Sequence, residues 1–463
     1  MFNKKTKICS LLCTVAMIIN LSACSLEKKT EEKSDVSIES SSTENQTNKN
    51  YDPIIGEKEK EKEEVINTND LTTQTIKPLD IKSSNYDTID LKHSYNSLST
   101  DNQKLLYEQI NKSVYTVTTG KDSNDRFLLK TITLKGLSIK QEDILIALEA
   151  FTNDNPQVFW VDNFFTYYTT KKTITIQLYS FLNEFTIRKS TSLLKNNIDL
   201  IFSVMPEELS QYERELYLHN ALLKNCTYDD KTAQGEGKKS SYTAYGALVN
   251  DTAVCEGYSK AMQLLLKYCG VESTLVNGKH DDVWHQWNVV KLGEEWYHLD
   301  ATWDDSDEHI HYNYFNLTTD QILNDRTISD NYTNLTAKEI NGSTNTKPIL
   351  FNINIPNCFS NKHNFYVKEA VLYKNSDHKS TKEIENKLVD TIIELKNTIY
   401  IKVSNDSNYK ETVNKLFFNE PYVFFNCADN VNKYLDYAKI DLDDISIIKR
   451  PEHRIIEVFF NYN

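Results

Sequence analysis

The sequence predicts a protein of mixed helices and antiparallel strands, and three observations carry that reading. Apolar residues recur at helical spacing through Leu209, Tyr212, Leu216, His219 and Leu223, and again through Tyr258, Met262, Leu265 and Cys269. Residues 127–134 and 172–180 alternate Ile and Thr as strands do. Residues 285–291 and 295–303 are two further strand-like runs, separated by Leu292-Gly293 as in a tight hairpin.

The first element is a targeting segment rather than structure. Lys4, Lys5 and Lys7 precede an apolar stretch from Leu11 to Leu21, followed by Ser22-Ala23-Cys24. With Cys placed directly after Leu-Ser-Ala, the segment resembles a bacterial lipoprotein signal. That resemblance implies removal of residues 1–23 and lipidation (palmitate included) of Cys24, which then anchors the chain at the extracellular face of the cell membrane. Two or more acyl groups anchor stably where one does so only marginally. Residues 24–95 follow as an expected disordered tether. They are rich in Ser, Thr, Asn, Glu and Lys and include the charged run Glu57 to Glu64, which cannot bury enough apolar area to offset the entropy of ordering.

Folded sequence is expected to begin near Ser99-Thr100-Asp101, a helix cap followed by Leu106 and Ile110 at helical spacing. The expected division is an N-terminal α/β module over 96–200, a middle domain over 201–335 and a C-terminal α/β module over 336–463. The flanking modules share a faint repeat: Pro156-Gln157-Val158-Phe159-Trp160 matches Pro421-Tyr422-Val423-Phe424-Phe425 at a constant offset. Both places read as helix, proline turn and aromatic strand.

Composition excludes two classes. The formal net charge is −14, against the clustered Lys and Arg that phosphate contacts require, so no nucleic-acid partner is expected. No uninterrupted apolar run reaches membrane-spanning length, which excludes a polytopic membrane protein. Of the eight cysteines, Cys9 and Cys13 leave with the signal and Cys24 is taken by lipid. Cys226, Cys255, Cys269, Cys358 and Cys427 remain, an odd set with at least one free or intermolecular thiol. Without a Cys-x-x-Cys pair or a His-x-x-x-His set, neither a structural zinc site nor any cofactor is expected. The acidic run Asp304, Asp305, Asp307 and Glu308 lacks the Gly-centred spacing of a calcium loop and reads as a charged turn.

The chemistry is expected in the middle. Cys255 sits at the start of the helix through Tyr258, Met262, Leu265 and Cys269. There the macrodipole and unpaired backbone N–H groups favour a thiolate and can face a developing oxyanion. Antiparallel pairing about Leu292-Gly293 places His285 opposite Asp300, Trp287 opposite His298 and Val289 opposite Trp296. Cys255, His285 and Asp300 would then form an activated thiol, the carboxylate orienting the imidazole that deprotonates it. His219 and His298 read as packing residues, and His280, His309 and His311 as solvated loop residues. Tyr242 and Tyr245 are candidate oxyanion donors, and Trp287 a candidate support for the imidazole.

At these residues the sequence resembles the bacterial transglutaminase-like superfamily. The likeness is carried by Val254-Cys255-Glu256-Gly257-Tyr258, by His285-x-Trp287-Asn288, and by Trp296-Tyr297-His298-Leu299-Asp300-x-Thr302-Trp303, with Tyr242 to Leu248 upstream. It implies an α+β fold with a papain-like core, in which the Cys255 helix packs on an antiparallel sheet. It also implies a catalytic set of Cys255, His285 and Asp300 that acts on amide bonds of proteins or wall peptides, by hydrolysis or by transfer to an amine. A non-enzymatic binding or scaffolding lipoprotein built on the same domain is the competing reading.

Overall fold

A computed structural model describes residues 72–80, 86–306, 309–329, 335–340, 344–345, 351, 353–375, 378–435 and 437–463. The expected signal, Cys24 and most of the tether lie outside the described residues. Among those described, no helix is long and apolar enough to cross a membrane.

Ordered structure begins earlier than the sequence suggested. Strand β1 (Thr73–Thr75) pairs antiparallel with β2 (Thr116–Lys121), and Ile76 and Leu91 are 2% and 3% exposed. A short helix α1 (His93–Asn96) follows, its Ser94 and Tyr95 N–H groups donating to the buried Asp154 carboxylate at 3.0 and 2.9 Å. Residues 72–80 and 86–95 therefore belong to the fold. Their few apolar side chains are diluted in polar sequence, so periodicity did not reveal them.

Helix α2 (Asp101–Val114) starts at Thr100, whose hydroxyl accepts from Gln103 N at 3.2 Å and so satisfies one orphan donor of the first turn. The strand expected over 127–134 is broken into β3 (Phe127–Leu129) and β4 (Ile132–Lys135). Helix α3 (Gln141–Asp154) then leads through the Pro156–Trp160 turn into the hairpin of β5 (Val161–Thr169) and β6 (Thr173–Ser180). Helices α4 (Glu184–Ser203) and α5 (Gln211–Asn225) follow, the latter opened by a Ser210–Glu213 capping box.

The middle of the chain builds α6 (Ala244–Val249), α7 (Cys255–Tyr268) and the strands β7 (Ser273–His280), β8 (Val283–Leu292) and β9 (Glu295–Leu299). After the short helices α8 (Ala301–Asp304) and α9 (Thr319–Ile322), strand β10 (Thr327–Ile328) closes a four-stranded antiparallel sheet of order β9-β8-β7-β10. Helix α7 packs on this sheet. One apolar core runs through Ile110, Phe151, Trp160, Leu194, Tyr258, Leu265 and Tyr297, so the N-terminal module and the middle domain are fused rather than juxtaposed.

The C-terminal boundary also moves. Strand β11 (Thr336–Glu339), expected to open the C-terminal module, instead joins the N-terminal sheet parallel to β5, Thr336 opposite Phe164, and pairs with β12 (Thr344–Asn345) on its other side. That eight-stranded sheet has the order β1-β2-β3-β6-β5-β11-β12, with β4 on β6. Helix α10 (Phe365–Glu369) still contributes Phe365 and Tyr366 to the main core. A separate core then forms among β13 (Val371–Tyr373), α11 (His378–Ile393), β14 (Thr398–Val403), α12 (Val423–Tyr434), β15 (Ile440–Arg450) and β16 (Ile455–Tyr462). The apparent repeat fails here, because residues 423–425 begin a helix. Val423, Phe424, Cys427, Ala428 and Val431 lie at helical spacing and bury one face, which overrides the resemblance of Val-Phe-Phe to a strand.

Candidate active site

Cys255 is the first residue of α7, and Val254 before it is extended (φ −94°, ψ 178°) with no side chain to cap the helix. The first N–H groups of a helix have no partner inside it. Those of Cys255 and Glu256 have no hydrogen bond elsewhere among the described residues either. Most helices fill this position with Ser, Thr, Asp or Asn. Valine leaves the donors open beside the thiol. Gly257 lets the first turn lie against the preceding backbone, for a Cβ there would meet Ser241 O at 2.4 Å and the Ala253 Cβ at 2.7 Å. Cys255 is half-buried, whereas Cys226, Cys269, Cys358 and Cys427 are buried, and all five are free thiols. Burial pushes each of the other four thiols up to about 12.

The hairpin register differs from expectation by two residues. Val289 lies opposite His298 and Lys291 opposite Trp296, with Leu292 and Glu295 flanking a Gly293-Glu294 turn in which Gly293 takes φ +64°. Because strand side chains alternate with a period of two, a two-residue slip leaves every face unchanged. His285 and Asp300 are therefore not directly opposed, yet they share a face and meet diagonally. His285 Nε2 and Asp300 Oδ2 are 2.7 Å apart, with His285 9% exposed and Asp300 fully buried. The Cys255 thiol lies beside the imidazole and, with Asp300, favours its charged form. With Nε2 committed to Asp300, Nδ1 is the nitrogen left to face the sulfur.

Electrostatics match this geometry. Burial alone would lower the imidazole, but the Asp300 carboxylate and then the Cys255 thiol beside it raise it to about 10. Burial likewise works against ionised Asp300, and His285 and Arg326 together hold the carboxyl below its ordinary value. Asp300 also caps α8, its Oδ1 accepting from Trp303 N at 3.3 Å.

Trp287 supports the imidazole by stacking, with ring centroids 5.9 Å apart and planes 17° from parallel. Its Nε1–H donates to His298 Nδ1 at 3.1 Å, and His298 Nε2 lies 3.3 Å from Thr319 Oγ1. Burial lowers His298 to about 4, so it sits neutral behind the tryptophan. On the opposite face of β8, Gln286 accepts from the Ser259 hydroxyl at 2.7 Å and Asn288 donates to Ser259 O at 2.9 Å. These bonds lock α7 to the strand that carries His285.

Tyr242 and Tyr245, the expected oxyanion donors, have other partners among the described residues. The Tyr242 hydroxyl donates to Thr232 O at 3.3 Å, and the Tyr245 ring stacks on Phe159 at 4.8 Å. Tyr245 lies on α6, and Tyr242 ends the 3-10 turn Lys239–Tyr242 that precedes it. His219 is the core histidine that its helix face implied, fully buried and edge-on to Phe315 at 5.0 Å. His280, His309 and His311 are held rather than loosely solvated. His280 Nδ1 is 2.8 Å from Asp325 O, His309 stacks on Phe459, and His311 contacts Arg450. Of the acidic run, Asp304 is buried and accepts from Tyr314 N at 2.9 Å, Asp305 accepts from the Tyr258 hydroxyl, and Asp307 and Glu308 lie outside the described residues. Among the described residues no cluster of three or more His, Cys, Asp or Glu side chains could hold a metal ion.

Sequence reasoning missed Arg326. Its side chain is fully buried, and its Nη2 and Nε donate to Asp300 Oδ2 at 3.0 and 3.3 Å. No local pattern points to an arginine in a polar stretch between a short helix and a two-residue strand.

Comparison with known proteins bears on the same segment. The Transglutaminase-like superfamily core matches residues 199–301, which contain Cys255, His285 and Asp300. No curated protein matches the chain. Among solved structures, one described as a TGase is 14% identical with a TM-score of 0.23 over 41% of this chain. A candidate cysteine protease from Cytophaga hutchinsonii is 10% identical with a TM-score of 0.20 over 38% of it. The chain spans 55% and 66% of the lengths of those two proteins. The α+β arrangement of helix on antiparallel sheet and the match to the core of the transglutaminase-like superfamily fall on the same segment, residues 199–301.

Proposed function

We propose that the protein is a thiol enzyme acting on amide bonds, held at the outer face of the cell membrane by lipid on Cys24. The observation that carries the reading is the convergence of Cys255, at an uncapped helix start, on the buried His285–Asp300 pair. Cys255 Sγ, its proton already held on His285 as an imidazolium, attacks the amide carbonyl carbon. The negative oxygen that develops faces the free N–H groups of Cys255 and Glu256, where preorganised donors lower the barrier. The C–N bond breaks, the leaving amine takes the proton from His285, and an acyl-thioester remains on Cys255. Water then releases an acid, or a primary amine releases a new amide. Hydrolysis is the favoured outcome, since water is always present outside the cell. Surface proteins and wall peptides are the amides within reach of a tethered enzyme.

The test is to incubate the full folded chain with a peptide library and a biotinylated alkylamine, and to analyse the products by mass spectrometry. Cleaved or biotin-conjugated peptides are expected with the unmodified chain and none with Cys255→Ala. Equal product from both chains overturns the reading.

A further inference from the structure

Arg326 lies on a strap, residues 323–329, that crosses the open edge of β7. Thr327 pairs with Lys279 and Ile328 with Gly278. Gly278 makes this approach possible, for a Cβ there would meet Thr327 O at 2.0 Å and the Trp287 ring at 2.5 Å. The strap delivers the Arg326 guanidinium between two aromatic faces, 4.4 Å from the Trp303 ring centroid and 4.6 Å from that of Tyr314. Its Nη1 lies 3.1 Å from Asp325 Oδ1, and Asp325 in turn accepts from the Tyr314 hydroxyl at 2.7 Å. A planar cation clamped in this way can present its fork in one orientation only.

We infer that Arg326 is the positioning residue of this site, holding Asp300 ionised and in one rotamer while His285 cycles between its charged and neutral forms. The inference rests on the thiol-enzyme reading. A fully buried carboxylate is costly unless paired. His285 supplies a positive charge only while protonated. Once it has given its proton to the leaving amine, Arg326 is the fixed cation on Asp300 Oδ2. Without that cation, Asp300 would take up a proton or turn away, and the imidazole would lose the acceptor that sets its orientation. The titratable groups facing this pair are Cys255, His280, His285, Asp304, Tyr314 and Asp325.

The test needs no substrate. Iodoacetamide alkylation of Cys255 is followed by peptide-level mass spectrometry across a pH series, in the full chain and in Arg326→Gln and Arg326→Lys, with melting curves recorded alongside. In Arg326→Gln the pH midpoint of Cys255 alkylation should rise by about one unit, equivalent to roughly tenfold slower labelling below it. Arg326→Lys keeps the charge but not the fork, so its midpoint should fall between the two and its fold should survive if the Gln variant does not. A midpoint that is unchanged or lowered in a folded variant overturns the inference, however much the melting temperature moves. His285→Ala separates the two readings. If it slows labelling while the Arg326 variants have no effect, only the role of Arg326 fails; if it leaves labelling untouched, the thiol-enzyme reading fails with it.

Discussion

His285 and Asp300 meet diagonally across the β8–β9 hairpin, Nε2 to Oδ2 at 2.7 Å, although the residue directly opposite His298 is Val289. A direct cross-strand pairing would have aligned the two side chains side by side. The diagonal leaves Trp287 free to stack on the imidazole from within the same strand face, and it leaves Asp300 at the point where the strand ends and α8 begins. One carboxylate thus orients the histidine through Oδ2 and caps a helix through Oδ1.

Thiol reactivity should be confined to Cys255. The other four cysteines are buried with thiols raised to about 12 by desolvation, whereas Cys255 is half-buried beside an imidazole. Limited iodoacetamide at about pH 6 should alkylate Cys255 first, and His285→Ala should slow this by at least about tenfold. Peptide-level mass spectrometry on folded protein reads the result. Faster labelling of Cys358 or Cys427 would contradict it.

Gly257→Ala should damage the site without touching a reacting group. Its Cβ would sit 2.4 Å from Ser241 O, and backbone gives way less readily than a side-chain tip. The first turn of α7 must shift, and an overpacked site of this kind costs roughly 1–3 kcal/mol. We expect a lower melting temperature together with slower Cys255 labelling. A variant that keeps the wild-type labelling rate would show that the close approach of the 241–243 backbone is not needed.

Glu215 should make stability fall as pH rises. It is fully buried, and desolvation lifts it from an ordinary 4.5 to about 8, with Oε2 accepting from Asn316 Nδ2 at 2.7 Å. Between about 4.5 and about 8 the unfolded chain ionises this group while the folded chain keeps it protonated, so unfolding gains over that window. Glu215→Gln removes the titration. Its stability relative to the parent should therefore rise progressively from acid towards pH 8, by an amount on the order of a few kcal/mol. Urea unfolding of both chains at pH 5 and pH 8 measures this, and a difference that does not change with pH would refute it.

The N-terminal boundary can be tested by truncation. A chain starting at residue 72 keeps β1, Ile76 and Leu91, and one starting at residue 97 loses them. Burying one Ile or Leu contributes about 1.5–3 kcal/mol, so the shorter chain should be several kcal/mol less stable. Calorimetric melting of the two should differ clearly, and matching curves would return residues 72–95 to the tether.

Much of this molecule was legible from local pattern. Helix α5 followed from apolar spacing through Leu209, Tyr212, Leu216, His219 and Leu223, and the Cys255 helix from Tyr258, Met262, Leu265 and Cys269. The face shared by His285 and Asp300 followed from strand parity, which survives a register error of two. These features depend on residues a few positions apart, and the period of a helix or strand constrains them directly. Tertiary structure alone decided the rest. It brought β11 to β5, gave Tyr242 and Tyr245 partners in Thr232 and Phe159, and folded the strap that sets Arg326 on Asp300. Each of these outcomes depends on which distant surface is available for burial or pairing. Such long-range competition leaves no periodic mark in the sequence, so a lone arginine in a polar loop becomes a partner of the buried carboxylate only when the whole chain has closed around it.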